Sequence, residues 1–283
     1  MYHPDFHAPA KIRKVSLTLF QEGELNPKTQ QTIFRDDQPR FRTLSVGNSE
    51  EIKNVLQAGN GFRVRIARRT GTPRQASQLL EKRFGSRGYS MPAQWDDPSV
   101  FTFMEYQDGE LVGTVGVRLD SPTGLAADKT HPEIMRTLRA HKLRLCEYTR
   151  LAVEDSADSI TALGTLFHSA YLWAGVVHDF NYCVIEVNPR HATFYQRLLK
   201  FKALGQPVHN RSVNAPAVLL GISFTDIEAS LRKRHASSTQ SGSAFSYGFS
   251  EAEAATIVFE LEQVKIEHTS RKSADSDSKS SIG

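Results

Sequence analysis

The amino-acid sequence predicts a mixed α/β fold in which helices flank a central sheet. Between residues 61 and 235, short strand patterns alternate with helix patterns, which indicates a partly parallel sheet covered by helices. Two further strand patterns, at 99–107 and 110–119, are joined through Asp108 and Gly109, a strong hairpin signal. The predicted sheet therefore contains both parallel and antiparallel neighbours.

The first elements of this region are a strand at 62–66 and the helix that follows it. Apolar residues alternate with arginines along the strand, as expected for a half-buried strand. Thr72 and Pro73 provide an N-cap and a first helical residue, and the helix is expected to end near Gly85. Helical spacing predicts an inward face made of Ala76, Leu79, Leu80 and Phe84.

Six more elements follow the hairpin. The patterns predict a short helix at 131–141, a strand at 143–153, a long apolar helix at 160–179, a strand at 181–187, a helix at 188–201 and a closing strand at 216–224. We therefore expect one folded domain at residues 61–235.

The two ends of the chain differ from this domain in composition. Residues 1–60 are polar and form a predicted N-terminal extension, whereas residues 236–283 form a Ser-rich tail. The start lacks a signal-peptide pattern, and no apolar run approaches the roughly 20 residues of a membrane helix. We therefore expect a cytoplasmic protein with no transmembrane segment. One helix is predicted in the tail at about 250–268, with an apolar face of Ala255, Val258, Phe259 and Leu261.

Net charge and the cysteine and histidine residues exclude fewer functions than the fold pattern does. The formal net charge is +4, and the tail is acidic, so the rest of the chain is basic. A basic surface suits nucleic acid, a membrane surface or an acidic protein, but no nucleic-acid recognition motif is present, so we expect no nucleic-acid partner. Cys146 and Cys183 lie in apolar runs typical of buried thiols, and the ten histidines lack metal-site spacing. We predict no metal.

Residues 188–201, NPRHATFYQRLLKF, resemble the last helix of the GCN5-related N-acetyltransferase superfamily, with its Asn, its Phe-Tyr pair and its Leu-rich turn ending in Phe. The resemblance implies that Tyr195 protonates a departing thiolate, which makes the thiol a better leaving group. It also implies that Asn188 and Arg190 contact substrate. The alternative is that Tyr195 is a core aromatic residue with a satisfied hydroxyl.

A second segment, CEYTRLAV at 146–153, resembles the Glu-x-x-Arg strand of acyl-homoserine lactone synthases and long-chain N-acyl amino acid synthases. Glu147 and Arg150 would point to opposite faces of an ideal strand, because side chains alternate with period two. Their joint use at one site predicts a β-bulge, which this strand of the superfamily typically carries. The alternative is an ordinary cross-strand ion pair.

Two weaker patterns, Phe84-x-x-Arg87-Gly-Tyr89 and the strand ending in Arg118-Leu119, occur in the order found in these synthases. Together the patterns span about residues 62–224. The chain thus resembles the long-chain N-acyl amino acid synthase family, which implies the GCN5-related N-acetyltransferase fold.

The resemblance implies transfer of a long acyl chain from a carrier-protein thioester to the α-amine of an amino acid. Glu147 would accept the ammonium proton, Arg150 would orient Glu147 or hold the substrate carboxylate, and amides of the bulge would stabilise the oxyanion. The acyl tail is expected between strands near Phe101 and Phe103, unless these residues are simply core.

One departure from the superfamily concerns the acyl donor. The phosphate-binding turn of coenzyme A-dependent members is replaced by EDSADSITALG at 154–164, which is acidic. We therefore expect acyl carrier protein rather than coenzyme A as the source of the acyl-phosphopantetheine thioester, and no tightly bound cofactor. We predict that the docking patch for the carrier protein consists of Arg68, Arg69, Arg74, Lys82, Arg83 and Arg87. The alternative is that these residues form a merely solvated basic face.

The sequence leaves three other functions open. An acyl-homoserine lactone synthase would use the same donor, although the Asn-Pro-Arg-His helix argues against it. An acetyl-coenzyme A-dependent N-acetyltransferase is disfavoured by the missing phosphate turn. An inactive acyltransferase fold used only for binding is the non-enzyme alternative.

Overall fold

A computed structural model describes residues 41–43, 62–67, 74–85, 97, 99–107, 110–155, 159–236 and 243–280 of the chain. The predicted N-terminal extension lies outside these ranges apart from one short strand. Of the predicted docking patch, Arg68, Arg69 and Arg87 also lie outside them, and Arg74 is described only as the first residue of a helix.

The described strands form one mixed sheet, which confirms the predicted fold class. Its order is β1-β2-β3-β4-β5-β6-β9-β7, with β8 also paired to β9. Neighbours are antiparallel except β5 and β6, which are parallel. The strands are β1 Phe41–Thr43, β2 Phe62–Ala67, β3 Val100–Gln107, β4 Glu110–Leu119, β5 Leu145–Val153, β6 Tyr182–Val187, β7 Lys202–Ala203, β8 Val208–Asn210 and β9 Ala215–Ser223.

Helices flank this sheet at the predicted places, with one addition. The helices are α1 Arg74–Gly85, α2 Pro132–Ala140, α3 Ser159–Tyr171, α4 Pro189–Leu199, α5 Phe224–Ala236 and α6 Glu251–Ser280. Helix α3 continues as a π-helical segment, Leu172–Val177, and 3₁₀ turns occur at Ala126–Lys129 and Ala244–Tyr247. Helix α5, β7, β8 and the two 3₁₀ turns were not predicted.

Helix α3 is the centre of the core. It is apolar on almost every side, and Leu163, Leu166 and Phe167 are buried in the main hydrophobic cluster with residues of β3, β4 and β5. Among the described helices, Ser159–Val177 alone is long and apolar enough to cross a membrane, but 83% of its most apolar window is buried inside the protein. Burial on that scale is typical of a core helix.

The C-terminal segment packs on this core more extensively than the sequence predicted. Helix α6 is longer than the predicted 250–268 helix, and it buries Ile257, Leu261 and Val264. The predicted apolar face was wrong at Ala255, which is exposed, and at Phe259, which is 61% exposed, because the buried stripe runs through residues 257, 261 and 264 at helical spacing.

The two cysteines are free and buried, as predicted. Cys146 on β5 and Cys183 on β6 are direct partners in the parallel register. They therefore lie in the sheet immediately before the point where these two strands separate.

Candidate active site

A cleft opens between the two parallel strands of the sheet. Pairing between β5 and β6 ends at Glu147 and Val184, although β5 continues to Val153 and β6 to Val187. Beyond this point β5 remains paired with β4 and β6 remains paired with β9, so the sheet divides between β5 and β6. The resulting pocket has a volume of about 420 Å³, within the range of small-molecule sites.

The predicted β-bulge is present in β5. Thr114 pairs with Ala152, but Gly116 pairs with Thr149, so β5 contains one residue more than β4 across this interval. Arg150 lies at the extra position with a left-handed φ of 53°, a conformation found at bulges. The pocket wall includes the whole run from Glu147 to Leu151, so Glu147 and Arg150 both border the pocket.

Four predicted site residues meet at this pocket. Glu147 and Arg150 come from β5, Asn188 follows β6, and Tyr195 lies on α4. Tyr195 is partly buried, with its ring 5.3 Å from that of Phe194.

Glu147 is a buried carboxylate held by the backbone. It is only 4% exposed, and its Oε2 atom accepts a hydrogen bond of 2.7 Å from the N–H of Ala126. Burial raises the pKa of Glu147 to about 7, and the charge of Glu186 adds to this, whereas the Ala126 N–H and Arg118 oppose it. A carboxylate with such a pKa exchanges protons readily near neutral pH, as a general base must.

Arg118 lies opposite Glu147 in the β4–β5 register and lines the same pocket. Its guanidinium forms an ion pair with Asp97, another residue of the pocket wall. The positive charge near Glu147 is therefore shared with a second carboxylate, and burial dominates the pKa of Glu147.

A second polar cluster, centred on Glu186 of the pocket wall, was not predicted from the sequence. Glu186, near the end of β6, accepts a hydrogen bond from the side-chain amide of Asn210 on β8. The Nε2 atom of buried His131 lies 3.4 Å from the Oε2 atom of Glu186. These residues are far apart in sequence and share no motif, although Glu186 is the one acidic residue of its strand. Within the described ranges, no group of His, Cys, Asp or Glu could hold a metal ion.

Of the predicted substrate contacts, only Asn188 lies at the pocket. Asn188 lines the pocket, but its side-chain oxygen accepts from the Arg190 N–H at 3.1 Å and so caps α4. Arg190 is exposed and outside the pocket wall. Phe103 is fully buried, and Phe101 packs against Trp173 with ring centroids 4.7 Å apart. Neither phenylalanine lines the pocket, because both face the core beneath α3.

The predicted docking patch is partly neutralised in the structure. Lys82 Nζ lies 2.6 Å from Glu154, and Arg83 makes two hydrogen bonds to the carboxylate of Asp155. The acidic residues that replace the phosphate-binding turn therefore pair with cations of α1.

A different basic surface lies in a stretch of sequence without acidic residues, although its Lys202 lies 3.5 Å from Asp226 just beyond that stretch. No Asp or Glu occurs between residues 188 and 225. The α4 surface, as we name it here, comprises the exposed residues Arg190, Phe194, Arg197, Lys200, Lys202 and Arg211.

Comparisons with known proteins place the chain in a family. The family model described as "N-acyl amino acid synthase FeeM" matches residues 75–223, more than half of the chain. The solved structure of FeeM, an N-acyl amino acid synthase from uncultured soil microbes, is 25% identical and covers 54% of this chain and 90% of its own, with a TM-score of 0.47. The acyl-homoserine lactone synthase LasI is 16% identical, covering 59% and 91%, with a TM-score of 0.38. The search of curated proteins gave no match.

Proposed function

The chain belongs to the N-acyl amino acid synthase FeeM family and is an acyltransferase, and on this premise we propose that it moves a long-chain acyl group from acyl carrier protein to the α-amine of an amino acid. The observation that carries the proposal is the buried Glu147 at the point where β5 and β6 separate. The product is an N-acyl amino acid.

Glu147 acts as the general base in this mechanism. An amino acid reaches the pocket as an ammonium ion, and only the neutral amine attacks a thioester carbon. Because burial raises the pKa of Glu147 to about 7, its carboxylate takes up the ammonium proton more readily than an ordinary glutamate does.

Three other groups complete the reaction. Backbone amides at the β5 bulge stabilise the oxyanion of the tetrahedral adduct. Arg150 binds the carboxylate of the amino acid, for which its planar guanidinium is suited. Tyr195 then donates its proton to the departing phosphopantetheine thiolate.

The electrostatics before α3 support a carrier protein over coenzyme A. Glu154 and Asp155 precede this helix where a nucleotide pyrophosphate would need unobstructed amides, and their ion pairs with Lys82 and Arg83 occupy the nearby cations that could otherwise bind phosphate. A phosphopantetheine arm on a protein carries no nucleotide and does not need these groups.

We assign the carrier protein to the α4 surface rather than to the patch on α1. Arg190 and Arg197 are exposed on the helix that carries Tyr195, and Lys200 directly follows that helix, so a bound acidic carrier would lie beside the pocket. Exposed Phe194 provides an apolar contact within the same surface. Because acyl carrier proteins are loaded in the cytoplasm, we place the reaction there.

A product assay tests this function. The purified protein is incubated with long-chain acyl carrier protein or long-chain acyl-coenzyme A, together with a mixture of amino acids or with S-adenosylmethionine, and products are identified by mass spectrometry. An N-acyl amino acid formed faster from the carrier protein is expected. A lactone product, or no product from either donor, contradicts the proposal, and faster reaction with coenzyme A contradicts the donor assignment.

A further inference from the structure

Glu186 is a second carboxylate on the pocket wall that has no role in the mechanism above. It lies on β6, across the separation of the strands from Glu147 on β5. The charge of Glu186 helps to raise the pKa of Glu147, so the two carboxylates are close enough to interact. Both border the space in which the amine would react.

The polar atoms next to Glu186 are incompletely satisfied. Asn210 donates to Oε1 of Glu186, but Oε2 of Glu186 and Nε2 of His131 have no hydrogen-bond partner within the described part of the chain. The two atoms lie 3.4 Å apart, and the His131 side chain is only 2% exposed. Buried polar atoms without partners are uncommon and destabilising. A proton added between the carboxylate and the imidazole would satisfy both atoms.

Amide formation from an ammonium ion requires two protons to leave nitrogen. The first leaves before attack, and the second leaves the positively charged nitrogen of the tetrahedral adduct. The departing thiolate takes up one proton, so each turnover releases one proton overall. A single carboxylate that still holds the first proton cannot accept the second.

We propose that Glu186 is the second proton acceptor of the acyl-transfer site and that His131 is the positioning residue that shares its proton. This inference rests on the proposed function. Burial lowers the pKa of His131, although Glu186 opposes this effect, so the imidazole starts neutral and can receive a proton.

In this mechanism each proton that leaves the nitrogen has an acceptor, and the leaving thiolate has a donor. Glu147 takes one proton from the ammonium ion, and the amine then forms the new C–N bond. Glu186 takes the second proton from nitrogen. The C–S bond breaks as the carbonyl reforms, and the thiolate takes the phenolic proton of Tyr195. One of the two carboxylic acids restores Tyr195, and the other loses its proton to solvent through the pocket.

Other charged groups face the same space. Besides Glu147 and Glu186, the pocket wall contains the titratable or charged side chains of Asp97, Arg118, Lys129, Tyr148, Arg150, His191 and Tyr195. His131 contacts Glu186 but does not itself line the pocket. Arg118 opposes the rise in the pKa of Glu147, whereas Glu186 contributes to it. Removal of the Glu186 charge should therefore lower the pKa of Glu147.

The test compares Glu186→Gln with Glu147→Gln on two acyl acceptors, an amino acid and hydroxylamine, which is neutral at the assay pH. Glu186→Gln is expected to reduce kcat with the amino acid by about 10²-fold, a typical effect of losing a general base. Hydroxylamine needs no first deprotonation, so it should restore activity to Glu147→Gln but not to Glu186→Gln. Equal restoration of both variants, or a wild-type kcat for Glu186→Gln, overturns the proposal.

Two further measurements distinguish a chemical role of Glu186 and His131 from a purely structural one. In Glu186→Gln, the acidic limb of the kcat/KM profile should move to lower pH, which a purely structural role would not produce. His131→Gln should lower kcat and not be rescued by hydroxylamine, and wild-type behaviour overturns the role of His131. Glu133→Gln, on the exposed face of α2, is the matched control. If the wild-type protein transfers no acyl group at all, the proposed function itself has failed.

Discussion

Replacing the candidate base should make the protein more stable while it removes the activity. The pKa of Glu147 is raised from an ordinary 4.5 to about 7. One pKa unit corresponds to about 1.4 kcal/mol, so the ionised carboxylate lowers the free energy of unfolding by about 3 kcal/mol at alkaline pH. Glutamine avoids this cost and can still accept the hydrogen bond from Ala126.

The stability difference between Glu147→Gln and the wild type depends on pH, because the folded-state pKa is higher than the unfolded-state pKa. Below about pH 4.5 the carboxyl is protonated in both the folded and unfolded states, so Glu147 contributes nothing. Between about pH 4.5 and 7 the unfolded chain loses the proton first, so the wild-type protein becomes progressively less stable than Glu147→Gln. Above about pH 7 the difference is constant.

Urea unfolding followed by tryptophan fluorescence measures this difference. Glu147→Gln should exceed the wild type by about 2–3 kcal/mol at about pH 8 and by little at about pH 5. Glu133→Gln should match the wild type at both values. A stability difference that does not change with pH would refute the burial and raised pKa assigned to Glu147.

Three further predictions concern the acid, the carrier surface and the core. Tyr195→Phe should lower kcat by about 10²-fold with the carrier thioester, but by less with an aryl thioester, whose more acidic thiol needs no proton to leave. Arg197→Glu with Lys200→Glu should raise KM for acyl carrier protein about tenfold at low salt and leave KM for the amino acid unchanged, whereas Lys82→Glu should change neither. Gly164→Ala should lower Tm despite the helix preference of alanine, because the new methyl group would clash with the carbonyl oxygen of Ala244. An unchanged Tm would contradict the packing of the C-terminal segment on α3.

Sequence patterns identified the parts of the fold that local rules govern. Strands β3 and β4, which flank Asp108 and Gly109 in the sequence, pair antiparallel as predicted, and the apolar pattern at 160–179 forms the buried helix α3. The resemblance of residues 146–153 to the Glu-x-x-Arg strand predicted the β5 bulge, which is present.

The elements and contacts that sequence patterns missed are mostly strands too short to show periodicity or contacts between residues far apart in the chain. Strands β7 and β8 have only two and three residues and therefore show no periodicity. Helix α5 did carry a signal, because the Ser223 hydroxyl caps it by accepting from the Asp226 N–H at 3.1 Å. The contact between His131 and Glu186 joins residues far apart in the chain, which no local pattern encodes.

The central claim is that Glu147 is the base of an N-acyl transfer, and single-turnover kinetics test it most directly. Wild type and Glu147→Gln are mixed with long-chain acyl carrier protein and the amino acid substrate at a series of pH values, and formation of the N-acyl amino acid is timed. The wild-type rate should rise through about pH 7, whereas the Glu147→Gln rate should be about 10²-fold lower and show no break there. A Glu147→Gln variant that forms the product at the wild-type rate would contradict the mechanism.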